Sequence, residues 1–248
     1  MRTRVFAWRN LREILRDPLS LGFSLGFPVV LLLMMSLMRQ SIPDMPADVF
    51  GLESFTPGMA VFGLSFLGMF LGMLMTGDHK TAFLQRLFIS PMRGGEFILG
   101  YALPFLPLAV LESAVTFLLA GILGLPLGMG ILWAILVMLP VSLLFIALGL
   151  LMGSCLGNSQ QVGGIGSILI NVAALLSGTW FSLELIGGTF QSVCNLLPFA
   201  HAVDAVKAAL AGDLAAVLPH LLWVLGYALV LTALAVWIFH RRMTGKKG

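Results

Sequence analysis

Charge is what this chain has least of. Of 248 residues only 14 are Lys or Arg and 11 are Asp or Glu, where a water-soluble domain of this length carries about 60 charged side chains, roughly a quarter of its residues. Water cannot solvate such a surface. The long apolar stretches are separated by short polar ones, so the solvent for most of the chain is lipid. Cysteine is nearly absent: Cys155 and Cys194 are the two, and the topology worked out below puts them on opposite sides of the membrane, so no disulfide between them is expected. There are two Tyr and five Trp against 18 Phe and 14 Met, few rings to stack on sugars. No lysine is preceded by spaced glycines and followed by the Ser or Thr of a phosphate-binding loop, and Gly245-Lys246-Lys247 lacks both. These deficits exclude a nucleic-acid module, a cytosolic enzyme and a secreted disulfide scaffold.

What is present is hydrophobic length. Hydrophobic residues make up 59% of the chain and the mean hydropathy is +1.02. About 20 helical residues cross the hydrocarbon, and the apolar runs predict an all-α polytopic membrane protein with six spans, at residues 19–38, 57–76, 97–123, 131–153, 165–181 and 221–239. Residues 1–17 read as an amphipathic interfacial helix lying flat on the membrane, with Trp8, Leu11, Ile14 and Leu15 on one side and Arg9, Arg12, Glu13 and Arg16 on the other. The Arg-rich start has the look of a signal peptide. The run behind it is long enough to span and has no small-residue cleavage pattern, so it is expected to stay as the first span. Pro104 and Pro107 are expected to kink the third span. Residues 182–219 mix Gly187-Gly188, Pro198 and charged residues without a spanning run and read as short helices in an extracellular re-entrant region. There Phe199, Val203, Val206 and Leu210 form one stripe.

An even number of spans places both ends on one side. That side collects Arg2, Arg4, Arg9, Arg12, Arg16, Lys80, Arg86, Arg93, Arg241, Arg242, Lys246 and Lys247, against Arg39 and Lys207 on the other. Basic residues concentrate in cytoplasmic loops, so both termini and the loop between the second and third spans are expected in the cytoplasm.

That loop carries His79-Lys80-Thr81-Ala82-Phe83-Leu84-Gln85-Arg86-Leu87-Phe88-Ile89-Ser90-Pro91. Phe83, Leu84, Leu87 and Phe88 repeat at helical spacing and Pro91 stops the helix. Such a short amphipathic helix either docks a soluble partner or lies on lipid headgroups. Within the spans, Glu112 is the deep ionisable residue, and its burial cost demands protein, water or a cavity around it. It reads either as a carboxyl group bonded to a neighbouring helix or as a contact for a cationic substrate or gating link. Met69, Met73 and Asn171 are further pathway or packing candidates; methionine suits varied apolar cargo and serves equally as lipid-facing filler. Gly22 with Gly26, Gly68 with Gly72 and Gly149 with Gly153 are spaced for close helix contact, though about three such pairs arise by chance among 28 glycines. His201, Asp204 and Lys207 read as an intrahelical polar set with no third metal ligand. Ser65 lacks a nucleophile-elbow context and His201 lies outside the spans, so no intramembrane protease is indicated.

In order and topology the whole chain resembles the ABC-2-type exporter permeases. Leu84-Gln85-Arg86-Leu87-Phe88-Ile89-Ser90-Pro91 followed by Glu96-Phe97-Ile98-Leu99-Gly100-Tyr101 is similar to that family's coupling helix and the residues after it. Asn158-Ser159-Gln160-Gln161, Ser177-Gly178-Thr179-Trp180-Phe181 and Leu197-Pro198-Phe199-Ala200-His201-Ala202-Val203-Asp204-Ala205-Val206 agree with it as well. Where the family often has Glu, Gly and Glu, this chain has Lys80, Ala82 and Gln85, which alters the charge pattern at the expected ATPase contact.

The resemblance implies a permease subunit without catalytic residues or a metal. Two cytoplasmic ATP-binding cassette subunits would bring the ATP and Mg, and a second permease, identical or different, would complete the complex. It also implies that Phe83, Leu84, Gln85, Arg86, Leu87, Phe88 and Pro91 meet the ATPase. The expected setting is the inner membrane of a bacterial-type cell, and the expected cargo a drug, antibiotic or lipid. The competing class, an ion- or proton-coupled secondary transporter, calls for several intramembrane ionisable residues and often for repeated halves. One carboxylate and no visible repeat argue against it.

Overall fold

The computed structural model describes residues 2–42, 51–79 and 94–245. Asp17 and Pro18 begin the first long helix: Asp17 accepts hydrogen bonds from the Ser20 amide and hydroxyl, at 3.2 and 2.6 Å, and Pro18 needs no amide partner at the first helical position. They separate α1 (Arg2–Leu15) from α2 (Pro18–Ser41). After α3 (Leu52–His79), the third apolar segment forms two helices, α4 (Gly94–Ala102) and α5 (Phe105–Ile122). At the expected kink the helical ladder is interrupted over Leu103 and Pro104 within one span, because the proline ring leaves the α4 ladder without its next donor. A six-residue link then turns the chain back into α6 (Met129–Cys155), and Asn158 caps α7 (Ser159–Leu176) by accepting from the Gln161 amide at 2.9 Å.

Three short helices follow: α8 (Leu183–Ile186), α9 (Gly188–Leu196) and α10 (Pro198–Ala211), the last two meeting at 85°. Phe199, Val203 and Val206 point inward as their spacing suggests, and Leu210 is partly buried. Yet α10 packs against α3, α6 and α11, so it belongs to the core of the fold. The final helix, α11 (Leu214–Gly245), starts well before residue 221. Gly212, at φ 80°, closes α10, and Asp213 accepts from the Ala216 amide at 3.1 Å to open α11. Pro219 therefore sits in the second turn of a longer helix, as Pro57 does in α3.

Six helical segments are long and apolar enough to cross a membrane: α2, α3, the α4–α5 pair, α6, α7 and α11. This is an all-α polytopic membrane protein. Among the described residues its centre is the contact of α3 with α6, around which α2, α5, α7, α10 and α11 gather. Gly68 faces the Phe145 carbonyl and Gly149 faces the Gly68 carbonyl, so close that neither position has room for a Cβ. Gly72 and Gly153 border the same seam, whereas Gly22 and Gly26 have open space beside them. The small-residue spacing thus has a packing role in α3 and α6 and none in this chain's α2.

Candidate functional site

The side of α1 that meets the protein is not the side its apolar residues suggest. Phe6 sits edge-on against Phe97 and Tyr101, with ring centres 6.0 and 5.0 Å away. Asn10 is fully buried and donates to the Gly100 carbonyl at 3.0 Å, and Ile14 is buried below it. Trp8 and Leu15 face outward. Docking on α4 selects the 6–10–14 stripe, because an aromatic ring and an amide can satisfy both the packing and the exposed carbonyl there. The remaining apolar stripe is left for lipid.

Arg9, expected on the solvated side, is instead drawn in. Its guanidinium forks onto Asp78, with Nη1 donating to Oδ2 at 2.7 Å and Nη2 to Oδ1 at 3.0 Å. The Tyr101 hydroxyl donates to Asp78 Oδ2 at 2.9 Å, and the Asp78 side chain is only 4% exposed. Bidentate charge-assisted bonds of this kind fix orientation as well as distance. Glu13 also meets Arg9, at 2.7 Å. Partial burial lifts its carboxyl above the usual range, and Arg9 offsets only part of that. Arg12 stacks over Trp8 at 5.3 Å from the ring centre, and Arg16 is exposed.

Asp78 lies in the last turn of α3, so the Arg9–Asp78–Tyr101 cluster ties α1 and α4 to the C-terminal end of that helix. Phe83, Leu84, Gln85, Arg86, Leu87, Phe88 and Pro91, expected to meet the ATPase, lie outside the described residues. Asp78 itself escapes sequence reading as a partner, since it is separated from Arg9 by 69 positions. The only local signal is an acidic side chain in the last turn of a long apolar helix, where it faces the unfavourable end of the dipole and needs a cation.

The intramembrane candidates do not converge. Glu112 lies between α2, α3 and α5, fully buried; Ser24 donates to its Oε2 at 3.4 Å. Its Oε1 has no hydrogen-bond partner among the described residues and points at Gly63, where a side chain would collide with it. Met69 is buried against Gly166 of α7 with Phe62, Val162 and Ile170. Met73 is half-buried and its carbonyl accepts from the Ser159 hydroxyl at 3.1 Å. Asn171 faces outward from α7, its amide donating to the Ser167 carbonyl at 2.8 Å. With Gln160, Gly164 and Ser167 it forms an exposed small and polar stripe along this span.

His201 also departs from expectation. Rather than pairing along its helix with Asp204 and Lys207, it reaches across to α11, where its Nδ1 lies 2.7 Å from Nδ1 of His220, and its Nε2 is 2.9 Å from the Asn195 carbonyl. One proton between the two Nδ1 atoms makes this a hydrogen bond. The sequence signal was two histidines on consecutive helices, each just past a helix start.

The family model described as the ABC-2 type transporter matches residues 1–211, from α1 through the end of α10. The chain belongs to the ABC-2 type transporter family. No individual curated protein matches it. As an ABC-2 permease it is the membrane component of an ATP-binding cassette system, which implies an ATPase partner. In this permease the contacts of Asp78 with Arg9 and Tyr101 act as a latch, holding the N-terminal helix and α4 at the C-terminal end of α3.

Proposed function

We propose that this permease forms the transmembrane pathway of an exporter moving a hydrophobic or amphipathic drug, antibiotic or lipid out of the cytoplasm or inner leaflet. Two ATPase subunits drive it and a second permease completes it. Both termini and residues 80–93 face the cytoplasm of a bacterial-type cell, as the distribution of basic residues favours. The chain itself holds no nucleotide; ATP and Mg sit on the ATPase, which docks on Phe83 to Pro91.

The observation that carries this reading is the outward stripe Gln160, Gly164, Ser167 and Asn171 on α7. Amide and hydroxyl groups facing hydrocarbon are costly, so within a span they face protein or a water-lined path. A second permease set against α7 supplies both, and the apolar Ile168, Val172 and Leu175 exposed beside the stripe give the shared surface the mixed character an amphipathic cargo needs. Loss of substrate-stimulated ATPase activity in Leu87→Asp or Phe88→Asp, with complex assembly and folding retained, tests the coupling assignment; unchanged stimulation refutes it. Disulfide trapping of Ser167→Cys in a background lacking Cys155 and Cys194 tests the dimer, and a failure to cross-link beside efficient cross-linking elsewhere removes α7 from the interface.

A further inference from the structure

The latch leaves α1 standing off from the interrupted third span on its outer side. Between them lies a groove of about 870 Å³. Val5, Trp8 and Leu11 form one wall, and Leu103, Pro104 and Pro107 form the other, at the point where α4 ends and α5 begins. Arg4 lines the groove as well. Its side chain is exposed, and no carboxylate among the described residues lies within ion-pairing distance of it, nor of the exposed Arg12 above Trp8. An apolar trough with a free guanidinium at its edge matches a molecule with hydrocarbon chains below and a negative group above.

We propose that this groove is a binding site for one anionic glycerophospholipid of the leaflet in which α1 lies. The headgroup phosphate meets Arg4, and an acyl chain fills the trough left by the interruption at Pro104. The geometry selects this occupant over others. A soluble protein does not reach a groove whose floor belongs to a membrane span. A second copy of the chain would bring its own basic α1 against Arg4, like charge to like. Trp8 stands where amphipathic rings settle at the headgroup boundary, and basic residues at that level draw anionic lipids. The proposal rests on α1 being interfacial and is independent of what the permease transports.

The test uses the full chain in nanodiscs of equal phosphatidylcholine and phosphatidylglycerol, released for native mass spectrometry. The wild type is expected to retain one phosphatidylglycerol at several-fold higher occupancy than phosphatidylcholine. Arg4→Gln should erase the headgroup preference, Leu103→Trp should remove retention of both lipids by filling the trough, and Leu229→Trp, on the exposed face of α11, should change nothing. Equal retention of the two lipids by the wild type overturns the proposal. So does phosphatidylglycerol retention that survives both Arg4→Gln and Leu103→Trp, or a drop in dimer content with Leu103→Trp at unchanged lipid retention. Arg4 is exposed, so its variant folds and keeps the test decisive if Leu103→Trp does not.

Discussion

Neutralising Asp78 separates an energetic latch from a bystander ion pair. Asp78→Asn keeps the shape and removes the charge that holds the Arg9 fork at 2.7 and 3.0 Å and the Tyr101 hydroxyl at 2.9 Å. Breaking a buried pair by removing one partner costs about 3–5 kcal/mol, but that figure assumes the surviving charge is stranded. Arg9 is not: its side chain is 36% exposed and Glu13 lies 2.7 Å away, so the penalty falls to about 2 kcal/mol. Arg9→Gln is the harsher change, about 3 kcal/mol, because it withdraws the forked cation from a carboxylate that is almost fully buried. The double variant should then be more stable than Arg9→Gln alone, which requires a coupling energy above about 2 kcal/mol. Unfolding in a mild detergent gives the four stabilities of the cycle, and Tyr101→Phe, at about 1.5–3 kcal/mol, calibrates the loss of one donor to the charged carboxylate. A coupling energy within about 0.5 kcal/mol of zero refutes the latch.

Three further outcomes follow from contacts described above. Gly63→Ala forces a methyl group onto both the Glu112 carboxyl group and the Pro28 ring and should cost about 1–3 kcal/mol, recovered in part in Gly63→Ala/Glu112→Ala; no recovery places the strain at Pro28. Hydrogen bonds from Ser20 hold the Asp17 carboxyl below its ordinary range, so the folded state binds this proton more weakly than the unfolded one, and its contribution is full at neutral pH and fades as pH falls through the lowered value. Glu13, lifted by burial, has the opposite slope. Melting curves across pH 3 to 7 should therefore flatten on the acid side in Asp17→Asn and lose an acid-side gain in Glu13→Gln, and identical slopes in all three proteins contradict both assignments. His220→Ala removes the bond to His201 and should cost about 1 kcal/mol in stability; no loss would show that the contact adds nothing.

Much of the fold is legible in the sequence because lipid imposes one dominant rule. A run of about 20 apolar residues has no alternative in that solvent but a helix, so the number and order of the spans follow from hydropathy. Helix starts are less legible. Pro57 and Pro219 look like boundaries, yet a proline within the first two turns displaces few ladder bonds, and the true punctuation is Gly212-Asp213. The face that α1 presents is legible only at Ile14, which is buried as its apolar side suggests, since Trp8 and Leu15 are the more apolar choice while Phe6 and Asn10 fit the ring and the open carbonyl on α4. The Arg9–Asp78 pair is not legible, because it depends on three helices meeting at one point. Gly63 is informative only beside Glu112.

The glycine seam between α3 and α6 bears on how force travels. Backbone rests on backbone at Gly68 and Gly149, with no flexible side chain between to yield or to change rotamer. Two helices joined this way behave as one strut. A displacement applied at the Asp78 end of α3 would therefore be carried to α6, and from there to α10 and α11, which pack against it.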